Sequence, residues 1–225
     1  MDLYVFPPSP NCLQVIALAK HLKLPFTLKR VNVPRGEQKC REFLEMNPNG
    51  RVPLLVDGAL KLWESDAILH YLADKAGSPL LPRQVDERAD VLRWMFWQSA
   101  HFGPACSSLI YENVAKRVFE LGQPDAQEVQ RAAQCADTLV RILNEHFEEQ
   151  DYLHGNRLTI ADFSLAAFGV YWREAGIPFE RYPQVLAWYE RIAALPAWLE
   201  ALQLRQLAKL TPAPASAPPV TEDVH

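Results

Sequence analysis

The spacing of apolar positions changes period partway along the chain. Residues 3–6, Leu-Tyr-Val-Phe, form an apolar run of strand length. After Ser9-Pro10-Asn11 the apolar residues recur at helical spacing. Val15, Leu18, Ala19 and Leu22 make one stripe, and Leu13, Ile16 and Ala17 a second. This predicts a helix buried over most of its circumference and ended by Leu24-Pro25. Residues 26–33 alternate weakly and carry β-branched side chains, a second strand. A short helix is expected over 38–46, followed by a turn at Asn47-Pro48-Asn49-Gly50. Leu54-Leu55-Val56 and Leu60-Lys61-Leu62 then read as a hairpin on an Asp57-Gly58 loop. A helix over 65–76 stops at Gly77, where helices commonly end in a left-handed residue. The predicted order is β-α-β-α-β-β-α.

Beyond this point the periodic segments are helical: 86–119, 124–150, 159–175, 183–194 and 196–210. The expected organisation is an α/β domain over 1–77, a proline-interrupted linker over 78–85 and an all-helical domain over 86–210. Residues 211–225 hold four prolines and three alanines with few large apolar groups, which predicts a flexible tail.

Composition narrows the function classes. In 225 residues, 49% are hydrophobic and 22% charged, enough for one large domain or two modest ones. A net charge of −4 gives no electrostatic reason to expect nucleic acid or an anionic membrane as a partner. No apolar run approaches the ~20 residues of a membrane span, and the first residues do not read as a signal peptide. Cys12, Cys40, Cys106 and Cys135 form no C-x-x-C pair and the histidines are scattered. Neither a metal site nor a disulfide framework is expected, and a cytoplasmic location with reduced thiols is the simplest reading.

Two short constellations carry candidate chemistry. Ser9 precedes a proline at the head of the first helix, so it reads as an N-cap with Pro10 at the first helical position. Capping alone would explain a serine there. The same hydroxyl could also donate to a thiolate, which the positive end of the helix would stabilise further. Asn49-Gly50-Arg51-Val52-Pro53 places the Val52 backbone at the mouth of a turn, able to pair with an extended peptide. Glu64-Ser65-Asp66 opens the third helix. It reads either as a solvated acidic cap or as a site for an amino-acid head group, whose carboxylate would meet Ser65 and the helix N–H groups.

Together these segments resemble the glutathione transferase family. The strand-loop-helix from Leu3 to Val15 is similar to the family's active-site segment, and its catalytic serine falls on Ser9. Residues 47–72, NPNGRVPLLVDGALKLWESDAILHYL, carry its most diagnostic stretch. There the cis-proline motif maps to Val52-Pro53 and the γ-glutamyl-binding pair to Glu64-Ser65. Thr159-Ile160-Ala161-Asp162, flanked by Leu158 and Phe163, is like the capping box and hydrophobic staple of the helical domain, a folding element. The resemblance covers roughly 1–205 and implies a thioredoxin-like domain followed by a helical bundle. It implies glutathione as co-substrate, no tightly bound cofactor and no metal. It also implies a small hydrophobic electrophile as second substrate, and a homodimer in which Asp66 reaches the partner's site.

Gln38, Lys39 and Arg51 lie where the glycine carboxylate of glutathione finds its partner, though an exposed polar surface explains them equally well. Phe6, Pro8, His101, Ala105 and Ser108 are expected along the second-substrate pocket, with a structural role for His101 as the alternative. The Trp94–Trp97 cluster and Trp63 suggest aromatic surface left over for a dimer interface. Ser9-Pro10-Asn11 also resembles the Thr-Pro-Asn segment of bacterial members that reduce disulfides with glutathione, in which Asn11 would share or replace the role of Ser9. A non-catalytic binding module on the same fold is the third reading.

Overall fold

The structure, a computed structural model, describes residues 1–210; the tail expected over 211–225 lies outside the described residues. Strands β1 (Asp2–Val5), β2 (Thr27–Arg30), β3 (Leu54–Asp57) and β4 (Leu60–Trp63) form one sheet in the order β2-β1-β3-β4. β1 runs parallel to β2, with helix α1 (Pro10–His21) as the crossover, and antiparallel to β3. Helices α2 (Arg41–Leu44) and α3 (Ser65–Lys75) complete the expected β-α-β-α-β-β-α order.

Three boundaries differ from the sequence reading. Asp57 pairs with Leu60, so the hairpin loop is Gly58-Ala59, one residue later than expected, with Gly58 taking the positive φ such loops require (60°). The second strand ends at Arg30, and Val33–Arg35 is a 3-10 turn. The Asn32 side chain accepts from the Arg35 N–H while the Glu37 carboxylate accepts from the Asn32 N–H, so local side-chain bonds replace the sheet ladder. The single helix expected over 38–46 is a 3-10 turn, Glu37–Lys39, and α2, separated by extended backbone at Cys40.

The helical part begins with α4 (Val85–Trp97), α5 (Gly103–Ile110) and α6 (Lys116–Val118). These run end to end through two wide π-type turns, Gln98–Phe102 and Tyr111–Ala115, where the sequence suggested one uninterrupted helix. Then come α7 (Ala126–His146), α8 (Ile160–Gly169), α9 (Trp172–Ala175), α10 (Pro183–Ala193) and α11 (Pro196–Leu210). The helix expected over 159–175 is thus interrupted between α8 and α9.

Helix α8 is the hub of the molecule. All its residues are buried, and it packs against α1, α3, α4 and α10. Helix α1 buries Cys12 through Ala19 against α3, α8 and α11. One continuous core therefore runs from Leu3 and Val5 of the sheet to Trp188 and Trp198 of the bundle. A smaller cluster, Val31, Phe43 and Leu54, lies under α2. The opening of α8 is held by Asp162, whose carboxylate accepts from the Thr159 N–H (2.8 Å), the Thr159 hydroxyl (3.0 Å), the Leu153 N–H (3.0 Å) and Trp188 Nε1 (2.9 Å).

The aromatic cluster needs a correction. Trp94 is buried within its own bundle, with ring centroids 5.4 Å from Trp97 and 4.8 Å from His146. Trp63 and Phe96 do leave aromatic surface uncovered, 39% and 68% exposed.

Candidate active site

The loop between β1 and α1 presents Ser9. Its backbone occupies the N-cap position (φ −73°, ψ 128°) with Pro10 next, as the sequence suggested. Its side chain, however, makes no capping bond. The helix begins instead on the backbone, where the Cys12 and Leu13 N–H groups both bond the Ser9 carbonyl oxygen (3.1 and 3.0 Å). The hydroxyl is consequently not consumed by the helix end. Beneath it, buried Cys12 accepts from the Phe6 N–H (3.4 Å). Burial pushes the Cys12 thiol up to about 12, with the Phe6 N–H and the Ser9 hydroxyl pulling weakly the other way. Such a thiol is a poor nucleophile.

At the second position of α1, Asn11 faces the head of α3. Its Oδ1 accepts from Ser65 Oγ (3.4 Å) and from Gln14 Nε2 (3.2 Å). Positions 11 and 65, fifty-four residues apart, are therefore neighbours at two converging helix N-termini. Both ends project positive potential toward the same region.

The third wall is the turn before β3. The Val52-Pro53 peptide is cis. Buried Asn47 shapes the turn: its Nδ2 donates to the Arg51 carbonyl (2.7 Å) and its Oδ1 accepts from the Asn49 N–H (3.1 Å). No hydrogen bond to the Val52 N–H or C=O is found among the described residues. Lys39 lies over the same turn, with Nζ 3.3 Å from the Asn49 carbonyl oxygen. A Cβ at Gly50 (φ 55°) would come within 2.8 Å of that Nζ and 3.0 Å of the Gln38 carbonyl oxygen. Gln38, Lys39, Gly50 and Arg51 thus share one edge of the site, with Arg51 exposed. The sequence reading missed the part played by Asn47, although an asparagine opening an Asn-Pro-Asn-Gly turn is a recognisable Asx signal.

Glu64 opens α3 with φ 71° and ψ 117°, a conformation that costs a non-glycine residue on the order of 1–3 kcal/mol. Its side chain is exposed. The Asp66 carboxylate turns the other way and accepts from Ser164 Oγ of α8 (2.7 Å). Burial at this junction raises its pKa to about 6; Ser164 opposes that shift and the Glu64 charge adds to it. Within its own chain, Asp66 thus makes a contact between the two domains.

The outer wall differs from expectation. Phe6 meets Phe119, at the end of α6, with ring centroids 6.1 Å apart. The Pro8 carbonyl accepts from the Tyr171 hydroxyl (2.7 Å), and the Arg205 guanidinium covers the Tyr171 ring at 4.2 Å. The residues facing Phe6 and Pro8 are Phe119 and Tyr171. Ser108 instead turns toward α7, beside the Glu128 carboxylate, which Arg131 and then Ser108 hold down at about 2. Ala105 is buried in the bundle. His101 is exposed, with no ring or hydrogen-bond partner among the described residues. The wide π-type turns flanking α5 rotate that helix away from the face a regular helix would present.

Comparison with known proteins gives two family matches. Residues 1–74 match the glutathione S-transferase N-terminal domain and residues 126–191 the glutathione S-transferase C-terminal domain. A glutathione S-transferase of Hyoscyamus muticus is 34% identical over 212 residues, covering 92% of this chain and 99% of the relative. The disulfide-bond oxidoreductase YfcG of Escherichia coli (strain K12) is 33% identical over 214 residues, covering 92% and 96%. Among solved structures, a glutathione transferase family member from Pseudomonas fluorescens pf-5 with two glutathione bound superposes with a TM-score of 0.81. It is 27% identical, covering 89% of this chain and 91% of that one.

Proposed function

The chain belongs to the glutathione S-transferase family, and we propose that within it this protein is a transferase that activates the thiol of glutathione for attack on a small hydrophobic electrophile. One observation carries the reading: the Asn11 amide stands beside Ser65 where two helix N-termini meet, and Ser9, with its hydroxyl uncapped, heads the first of those helices. In the bound state glutathione lies along the first domain with its cysteinyl backbone paired to Val52. Its γ-glutamyl carboxylate meets Ser65 and the first turn of α3, and its glycine carboxylate lies toward Gln38, Lys39 and Arg51. Ser9 and Asn11 donate to the sulfur and lower its pKa toward neutrality. The proton leaves to solvent, the thiolate forms a carbon–sulfur bond, and the leaving group departs with the electron pair. Phe6 and Phe119 supply apolar surface for the electrophile. This chemistry requires neither a metal nor a tightly bound cofactor. Among the described residues no helix is long and apolar enough to cross a membrane, and we place the activity in the cytoplasm.

Ultraviolet titration of bound glutathione tests the proposal. A thiolate absorbance with a midpoint well below that of free glutathione is expected, and a midpoint equal to the free one overturns it. Disulfide reduction is the second reading, favoured by the Asn11–Ser65 contact and the similarity to the Escherichia coli oxidoreductase. There the thiolate attacks a disulfide sulfur and expels the other as a thiolate. Turnover of an aromatic halide against that of a mixed disulfide decides between the two. Failure of the protein to be retained on immobilised glutathione would leave a non-catalytic binding module.

Ser65→Ala removes a donor to the γ-glutamyl carboxylate. The Michaelis constant for glutathione should rise roughly ten- to a hundredfold, matching ~1.5–3 kcal/mol for a hydrogen bond to a charged group, with the turnover number nearly unchanged. Calorimetric titration showing wild-type affinity would remove Ser65 from the site.

We also propose a homodimer. Val85 is 84% exposed and Phe96 68%, both on α4, while Leu60 and Trp63 leave β4 partly uncovered. A two-fold interface covers such a patch twice. Light scattering at micromolar concentration should give a mass near twice 25.6 kDa; the single-chain mass would refute the proposal.

A further inference from the structure

Residues 12 to 19 of α1 are all buried, and every one is apolar or a thiol except Gln14. Gln14 is 0% exposed. Its Nε2 donates to Asn11 Oδ1 at 3.2 Å, and its Oε1 is buried with no partner among the described residues. A leucine or methionine would fill this position without leaving an oxygen unsatisfied. A polar residue kept at such a disadvantage points to a task outside folding.

We propose that Gln14 is a positioning residue for the thiol site: it fixes the side-chain amide of Asn11 so that Nδ2 is aimed at the glutathione sulfur. The inference rests on the thiol-activating function proposed above. Two donors, Gln14 Nε2 and Ser65 Oγ, converge on one face of the Asn11 amide. With Gln14 Nε2 placed as the donor, that face is the oxygen, because reversing the Asn11 amide alone would set Nδ2 against Nε2, donor against donor. With Oδ1 pinned, both Nδ2 hydrogens point away from Gln14.

Ligand binding makes the second donor unavailable. Ser65 has a single hydroxyl hydrogen, and a γ-glutamyl carboxylate at the head of α3 takes it. Gln14 is then the remaining side-chain donor on Asn11 Oδ1, and it lies too deep for the ligand to reach. The amide stays oriented at the moment the thiolate forms. Without Gln14 the amide could reverse and present its oxygen to the sulfur, which disfavours the anion.

The test is Gln14→Met, which keeps the volume and removes the donor. The midpoint for ionisation of bound glutathione, read from thiolate absorbance, should rise by about one unit. Turnover on the acidic limb of the pH profile, near pH 6.5, should fall about five- to tenfold, with the Michaelis constant for glutathione within about twofold. The loss should shrink as pH rises past the new midpoint. In an Asn11→Ala background Gln14→Met should change the midpoint negligibly, because the amide it orients is gone. An unchanged midpoint in Gln14→Met overturns the inference, and so does a full shift in the Asn11→Ala background. If Gln14→Met does not fold, Gln14→Leu removes the donor without adding charge; the same shift is expected, and its absence is equally decisive. A wild-type protein that shows no depressed thiol midpoint overturns the functional reading itself, whereas a depressed wild-type midpoint matched by the Gln14 variants overturns only the inference.

Discussion

Asp162→Ala should destabilise the protein by about 4 kcal/mol, the scale of breaking a buried hydrogen-bonded charge network. In a chain of this size that lowers the thermal midpoint by about 8–16 °C. A simple N-terminal capping box is worth about 1 kcal/mol, so the size of the effect separates two descriptions of this residue. The carboxylate closes the first turn of α8 through the Thr159 N–H and hydroxyl, and it also binds Leu153 N–H and Trp188 Nε1. It therefore joins the preceding loop and α10 to the central helix. Removing it leaves those donors buried without their acceptor. Asp162→Asn should also destabilise, by roughly half as much. One of its two polar atoms becomes a donor facing donors. Calorimetry or denaturant unfolding provides the measurement; a loss below about 1.5 kcal/mol for the alanine variant would reduce Asp162 to a local cap.

Asp162 also shows what the sequence can and cannot disclose. Thr-x-x-Asp before an apolar run is a local signal, so the start of α8 is legible from spacing alone. The bonds to Leu153 and Trp188 are not, because they depend on how distant segments pack. The same division runs through the fold. Helices with strong periodicity and a clear stop, such as α3 before Gly77 and α10 after Tyr182, fall within a residue or two of expectation. The segment 31–46 does not, since the Asn32 and Glu37 side chains bond the local backbone and interrupt both periods. The π-type turns around α5 carry no spacing signal that distinguishes them from regular helix, and they turn Ser108 toward α7 instead of the cleft.

In the site, the motif residues were readable because each sits at an element boundary with a recognisable turn or cap. Ser9, Val52-Pro53 and Ser65 all lie at such points. Side-chain partnerships across elements were not readable. Nothing in the order of residues connects Asp66 with Ser164, Tyr171 with Pro8, or Asn11 with Ser65. Trp94 illustrates the opposite error: a cluster of large aromatics suggests spare surface, yet the ring packs between Trp97 and His146. Only burial distinguishes it from Phe96, two positions later in the same helix.

Replacing both proposed sulfur donors should have the largest effect on activity. Each hydrogen bond to a thiolate is worth ~1.5–3 kcal/mol, or roughly ten- to a hundredfold in turnover. If Ser9 and Asn11 bind the sulfur together, the Ser9→Ala, Asn11→Ala double variant should lose about a thousandfold. If one of them carries the stabilisation alone, the double variant should be no worse than the poorer single one. The pH profile gives the sign. Losing a donor to the anion raises the thiol pKa, so the acidic limb of the activity profile moves to higher pH. Part of the loss should return above the new midpoint, where the thiolate forms without help. Stability provides the control. A serine acting as a cap would cost about 1 kcal/mol on conversion to alanine. Here the Ser9 side chain caps nothing, so the thermal midpoint should shift by less than about 2 °C. A Ser9→Ala variant that keeps wild-type turnover and an unmoved acidic limb would assign the sulfur to Asn11. A double variant that keeps both would exclude this loop from the chemistry.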